Sequence, residues 1–218
     1  MAYLKSSPRQ YASNYNDCFN FVDWDCRNNG TASGFGQDST DDNRPGVFYM
    51  DTGTDTGGKC SIIYSSTGSN SPNIKLGSAL NLFYESPVKM GTLATITDDY
   101  IYYAGPADGW VFGNPGNGVY FEYNRSVSDN WLAFSANSAS FTSVDTGVPV
   151  TTDWVDLMIK GNNSEMNYYL DGVLVATIST NLPSAPVNLN MALITKTAGT
   201  TAVRVYQDYF DINQAVVR

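Results

Sequence analysis

The chain has 218 residues and a formal charge of −9, and its 12 Lys and Arg are scattered without a cluster. The positive stripe that nucleic acid requires is therefore missing. Histidine does not occur, which removes Ser-His-Asp and Cys-His catalysis and most zinc sites together. Glu is confined to Glu85, Glu122 and Glu165, while Gly, Ser, Thr, Asn, Asp, Tyr and Phe abound, so strand and turn formers outweigh helix formers. The length suits one all-β domain with a core that needs no staples.

In chain order, residues 1–16 are polar with tyrosines and no period. They are predicted to be an arm, loosely ordered or docked on a partner. Residues 17–218 are predicted to be a single β-sandwich. The N-terminus lacks the apolar stretch of a secretory signal, and no run approaches membrane-spanning length. Synthesis in the cytoplasm and no membrane insertion are the expectations. Residues 19–24 are the first strand candidate, and 27–44, without an apolar period, form a long loop. Residues 46–50 and 59–64 read as a strand and its return around the turn cluster 51–58. Residues 80–90 form a long strand whose Pro87 predicts a bulge or a sheet edge. A strand at 100–105 precedes a Gly/Pro/Asn loop, 106–117. Residues 118–123 and 131–135 pair as a hairpin, and 141–146 lead onward.

The clearest pattern runs from Trp154 to Ile178. Val155, Leu157 and Ile159 point one way and Asp156, Met158 and Lys160 the other, and Met166, Tyr168 and Leu170 continue the inward set. Asp171-Gly172 lies between two such runs, the signal of a type I′ hairpin turn. Leu189, Met191 and Leu193 share one face of the strand 188–196, and 201–212 closes the chain. About a dozen such strands must pair as two packed sheets or a barrel.

The run Tyr168-Tyr-Leu-Asp-Gly-Val-Leu-Val resembles the hairpin of concanavalin A-like (laminin G-like) jelly rolls. The segment from Asn181 through Lys196-Thr-Ala-Gly-Thr-Thr to Gln207-Asp-Tyr-Phe-Asp-Ile resembles a version found in bacteriophage virion and fibre proteins. Arg44-Pro-Gly-Val-Phe-Tyr-Met-Asp-Thr-Gly-Thr is similar to the segment where such domains place their first paired strands. The resemblance implies an all-β, two-sheet antiparallel jelly-roll sandwich with essentially no helix. It also implies a surface module of a virion, closed as a homotrimer on capsid or tail proteins.

The three Glu lie in separate strands or turns, and the Glu-x-Asp-x-x-Glu pattern of glycosidases with this fold is absent, so no enzyme and no catalytic residue are predicted. Asp23 with Asp25, Asp41 with Asp42, and Asp98 with Asp99 are the pairs open to calcium. None has the spacing of a known loop, and solvated turn aspartates are the preferred reading, leaving no cofactor expected and calcium as the alternative. Cys18, Cys26 and Cys60 read as reduced, partly buried thiols, with one Cys18–Cys26 bridge as the alternative outside cells. The Asn-x-Ser/Thr triplets at Asn29, Asn124 and Asn162 are chance in so polar a chain.

A glycan site needs an aromatic plate beside polar groups. Trp110 and Phe112, flanked by Asp108 and Asn114, make the best such set; the competing reading tucks Trp110 into the sandwich edge. Trp24, Trp131 and Trp154 are expected in the core, and the tyrosines suit an interface. Two functions follow. The first is a bacteriophage virion structural protein, a capsid decoration or fibre module on the virion surface that helps host attachment. The alternative is a carbohydrate-binding lectin at a fibre tip, recognising host surface glycan.

Overall fold

The structure is a computed structural model that describes residues 2–5, 24–31, 33–37, 47–64, 74–75, 81–108, 115–138, 140–184, 186–187 and 189–216. Among these residues every regular element is a strand. They are β1 (Ala2–Lys5), β2 (Trp24–Asn29), β3 (Gly34–Gln37), β4 (Phe48–Asp51), β5 (Lys59–Tyr64), β6 (Ile74–Lys75), β7 (Leu82–Met90), β8 (Tyr100–Ala104) and β9 (Gly118–Asn124). The second half holds β10 (Asn130–Asn137), β11 (Ser140–Pro149), β12 (Val155–Gly161), β13 (Met166–Leu170), β14 (Val173–Ile178), β15 (Pro186–Val187), β16 (Leu189–Lys196), β17 (Arg204–Gln207) and β18 (Asp211–Val216).

Two antiparallel sheets enclose the core. One has nine strands in the order β14-β13-β12-β7-β17-β4-β3, with β18 also on β7 and β1 on β18. The other has seven, in the order β11-β10-β9-β8-β16-β5-β2, and β15 and β6 form a small pair. This is the expected jelly-roll sandwich. Alternation decides which side chains meet between the sheets. Leu157 and Ile159 of β12, and Met166, Tyr168 and Leu170 of β13, are buried in that core as the pattern predicts, with Val155 packed against it. Asp171 and Gly172 take φ of 49° and 78°, the positive pair that a type I′ turn demands.

Four expectations change. The predicted loop 27–44 contains β3, and β2 runs to Asn29; β3 is itself the edge strand, paired along β4, and such backbone bonding needs no apolar period. Strands β4 and β5 do not form a hairpin. Their connection crosses between sheets, which lets Met50 and Ile62 enter the core from opposite sides. Pro87 lies in the middle of β7, between β12 and β17, without a bulge against β12. Its carbonyl accepts from Asp208 N (3.2 Å), so its nitrogen faces the break between β17 and β18, where no ladder bond is missing. A bulge between Asn190 and Ala192 breaks the alternation of Leu189, Met191 and Leu193. Beyond it Ala192 and Ile194 enter the main core, while Leu193 joins a separate cluster. In the predicted arm, Ala2–Lys5 pairs with β18; the remainder lies outside the described residues.

Among the described residues, five tyrosines line the core instead of an interface. Tyr84, Tyr100, Tyr102, Tyr123 and Tyr168 are buried in the same core as Trp131. Burying a phenol is tolerable when its hydroxyl is bonded. Tyr100 OH donates to Thr92 O (2.6 Å), Tyr168 OH donates to Phe134 O, and Tyr102 OH accepts from Gln207 Nε2 (2.8 Å). Desolvation raises Tyr84, Tyr102 and Tyr168 far above the phenol range, so all three stay neutral. Cys60 is a buried thiol whose Sγ donates to Gly34 O (3.0 Å). Trp154 is half-buried at the mouth of β12.

Lys196, at the end of β16, is 1% exposed. Its Nζ donates to the carbonyls of Thr201 (2.7 Å), Gly53 (3.3 Å) and Thr54 (3.3 Å). The Lys-Thr-Ala-Gly-Thr-Thr segment thus wraps its own ammonium, with Gly199 at φ 87° making the turn.

Candidate functional site

The seven-stranded sheet is apolar on its outer face as well as its inner one. In β9, Val119, Phe121 and Tyr123 enter the core, which sends Gly118, Tyr120 and Glu122 outward. Register then sets three cross-strand rows. Ala107, Gly118, Ala136 and Phe141 form the first, Tyr120, Phe134 and Ser143 the second, and Tyr103, Glu122, Leu132 and Asp145 the third. Gly118 is required by the first row, because a Cβ there would lie 2.4 Å from that of Ala107.

Four rings run obliquely across these rows. Tyr103 meets Tyr120 edge-on at 5.7 Å, Tyr120 stacks on Phe134 at 5.2 Å and 6°, and Phe134 touches Phe141 at 5.9 Å. Tyr103 and Tyr120 are buried, Phe134 is half-buried, and Phe141 is 64% exposed. The run therefore starts in the protein and ends in water.

Polar groups edge its open end. Asp108 accepts from Asn117 N and Asn117 Nδ2, both at 2.6 Å, and Asn117 Oδ1 accepts from Ser138 N at 2.8 Å. Asn137 Oδ1 accepts from Ser184 Oγ at 3.2 Å. Further along, Asp145 accepts from Ser128 Oγ (2.7 Å), Gly147 N (2.8 Å) and Asn130 Nδ2 (2.9 Å). Those bonds, the Ser128 hydroxyl foremost, hold its carboxyl below the usual range. Glu122, one row in, is pushed up by burial, opposed by the Asn124 amide at 3.0 Å. One carboxylate on this face is thus charged and braced, and the other is biased towards its neutral acid.

Of the four residues expected to bind glycan, Asp108 sits at the neck of the loop, where both its oxygens are engaged by Asn117. Trp110, Phe112 and Asn114 lie outside the described residues. The loop that carries them nonetheless leaves and rejoins the sheet at the row that ends in Phe141. The ring run itself escapes the sequence reading. Its signal is present in residues 118–123, where aromatic or apolar groups occupy both parities. Glu85 and Glu122 belong to different sheets, so these two cannot act as a pair on one face.

Among the calcium candidates, Asp98 accepts from Thr201 N and Thr201 Oγ1, each at 3.1 Å, and is held low chiefly by that N–H. Asp99 accepts from Tyr100 N (3.0 Å) and Ser126 Oγ (2.9 Å). Both are turn braces. Asp23, Asp41 and Asp42 lie outside the described residues, as does the side chain of Asp25. No group of three metal-ligating side chains occurs among the described residues.

No family model matches the sequence, and no curated protein is similar to it. Solved structures are. The carbohydrate recognition domain of Emp46p, in a metal-free form, superposes with a TM-score of 0.60 at 9% identity, over 92% of both chains. Botulinum neurotoxin type C, whose passage into cells depends upon two ganglioside molecules, gives a TM-score of 0.52 at 11% identity. The binding domain of botulinum neurotoxin DC, solved with rat synaptotagmin II, gives 0.53 at 11%. The chain covers 43% of each toxin chain. At such identities the likeness is one of fold.

Proposed function

We propose that this chain is a carbohydrate-binding module of the lectin type, which holds a glycan on the outer face of its seven-stranded sheet. The observation that carries the reading is the ring run that surfaces at Phe141. A pyranose offers one apolar face and a rim of hydroxyls, and an exposed ring beside fixed amides and hydroxyls complements both. Phe141 supplies the plate. Asn137, Ser138 and Ser143 supply the rim, and the loop that includes Trp110 departs from and returns to this end of the sheet at Ala107 and Gly118. The shared fold with a carbohydrate recognition domain supports the reading.

A glycan array with wild type, Phe141→Ala and Trp110→Ala is the test. Selective binding that Phe141→Ala weakens about tenfold or more is expected, since aromatic anchors dominate such surfaces. Binding that neither substitution alters would overturn the assignment of this face.

A role on a bacteriophage particle is supported by the resemblance of residues 181–212 and is compatible with a lectin that recognises host glycan. Retention of a chain lacking residues 1–16 on purified particles tests the attachment part of that role; full retention removes it.

A further inference from the structure

The outer face of the nine-stranded sheet carries a second constellation, on the opposite side of the molecule from the ring run. Register places Phe83 of β7, Lys160 of β12 and Asn167 of β13 in one cross-strand row, with Thr177 of β14 beyond. The Lys160 ammonium lies 5.3 Å from the Phe83 ring and 5.4 Å from the Tyr169 ring. Two rings confine a head group that would otherwise sample many rotamers. Among the described residues no carboxylate pairs with it.

Beside this ammonium is a shallow cavity, open to solvent, of about 280 Å³, lined among others by Asn81, Phe83, Lys160, Asn162, Glu165 and Asn167. Its rim is fixed before any ligand arrives. Asn162 Oδ1 accepts from Ser164 N (2.7 Å) and Glu165 N (3.2 Å), which locks the turn between β12 and β13. Asn167 Oδ1 accepts from Thr177 Oγ1 (2.6 Å), which orients its amide. Asn167 Nδ2 in turn donates to Glu165 Oε1 (3.4 Å), which ties the two lining side chains together and leaves the second Asn167 N–H and the remaining acceptor capacity of the carboxylate for a ligand.

We propose that this cavity is a second saccharide site, taking one neutral pyranose unit. The inference adopts the lectin reading for the ligand class but stands on its own residues. The chemistry selects the ligand. An anion at Lys160 would meet the carboxylate of Glu165, and a cation at Glu165 would meet Lys160. A vicinal diol satisfies both, giving its protons to the carboxylate and its lone pairs to the ammonium, and bonds to charged groups are the stronger kind. The side amides take the remaining hydroxyls, and Phe83 provides the apolar wall. With sites on both outer faces, a single domain bridges two glycan chains, and the second engagement gains from effective concentration.

The test is an NMR titration of the 15N-labelled chain with methyl glucoside, methyl galactoside and methyl mannoside, together with polysaccharide precipitation. For at least one glycoside, amide shifts at Lys160, Gly161 and Asn162 are expected. They should weaken about tenfold in Lys160→Met and in Asn167→Leu while shifts near Phe141 persist. Those variants should still bind polysaccharide but no longer precipitate it. Shifts confined to the Phe141 end, or precipitation that survives both substitutions in folded protein, overturn the second site and leave the first intact. Shifts confined to residues 160–167 overturn the first and leave the second.

Discussion

On the seven-stranded sheet the outward rings of Tyr103, Tyr120, Phe134 and Phe141 touch one another. On the nine-stranded sheet the outward rings each meet a cation, and only Tyr49 and Tyr206, edge-on at 6.3 Å, also meet each other among the described residues. Lys160 sits over Phe83 and Tyr169, the Arg204 guanidinium lies 4.4 Å from Tyr49, and Lys89 lies 6.0 Å from Tyr206. Ring on ring excludes water and ties neighbouring strands together. Ring under cation leaves the charged head wet, so it fixes where a charge stands and adds little to the fold. The same residue types thus stabilise on one face and position on the other.

The largest effect expected from this difference is on folding. Tyr120→Ala should cost about 3–5 kcal/mol in denaturant unfolding, as for other buried aromatic truncations. Tyr169→Ala should cost about 1 kcal/mol, the scale of a half-exposed ring under a cation. Equal losses would erase the distinction between the faces. Next is Phe141→Ala, where the run reaches water. Glycan affinity should fall by about 1–2 kcal/mol, while unfolding changes by about 0.5 kcal/mol or less.

Glu122→Gln sharpens the comparison by pH. Burial raises the folded-state value of Glu122, so its favourable contribution is complete below the unfolded carboxyl range and is lost as pH rises through the folded value. The amide carries no charge, so the variant should be the more stable protein at pH 7, by about 1 kcal/mol. That advantage should vanish in acid, as thermal melts across pH 3–8 would record. A constant difference would mean that desolvation of the carboxylate is not the cause. The smallest effect is Lys160→Met, which should shift unfolding by about 0.5 kcal/mol or less, because an exposed charged head contributes little.

The sandwich was legible where local chemistry decides it. Asp171-Gly172 demands positive φ, and Leu157, Ile159, Met166, Tyr168 and Leu170 keep strict phase, so β12 to β14 follow from the residues alone. Pro87 misleads for a reason outside its neighbourhood, since the break it needs belongs to β17 and β18, about 120 residues later. β3 has no readable period because an edge pairing with β4 asks only for backbone. The candidate face was half legible. Residue type singled out the loop 106–117, and Asp108 does brace it. The ring run stayed hidden because Tyr103, Tyr120, Phe134 and Phe141 become neighbours only through the registers of β8 to β11. A strand buried on both sides, such as β9, carries apolar or aromatic groups on both parities and so conceals which residues face out.

Lys196 has a consequence for how one corner of the sandwich is assembled. The loops after β4 and β16 converge on a positive charge that the polypeptide itself delivers, in register, whenever β16 pairs with β5 and β8. A cationic donor carried on the chain cannot dissociate, be diluted away or be stripped by a chelator. This corner therefore closes in the same act as the sheet, with no need of a cation from the medium that surrounds it.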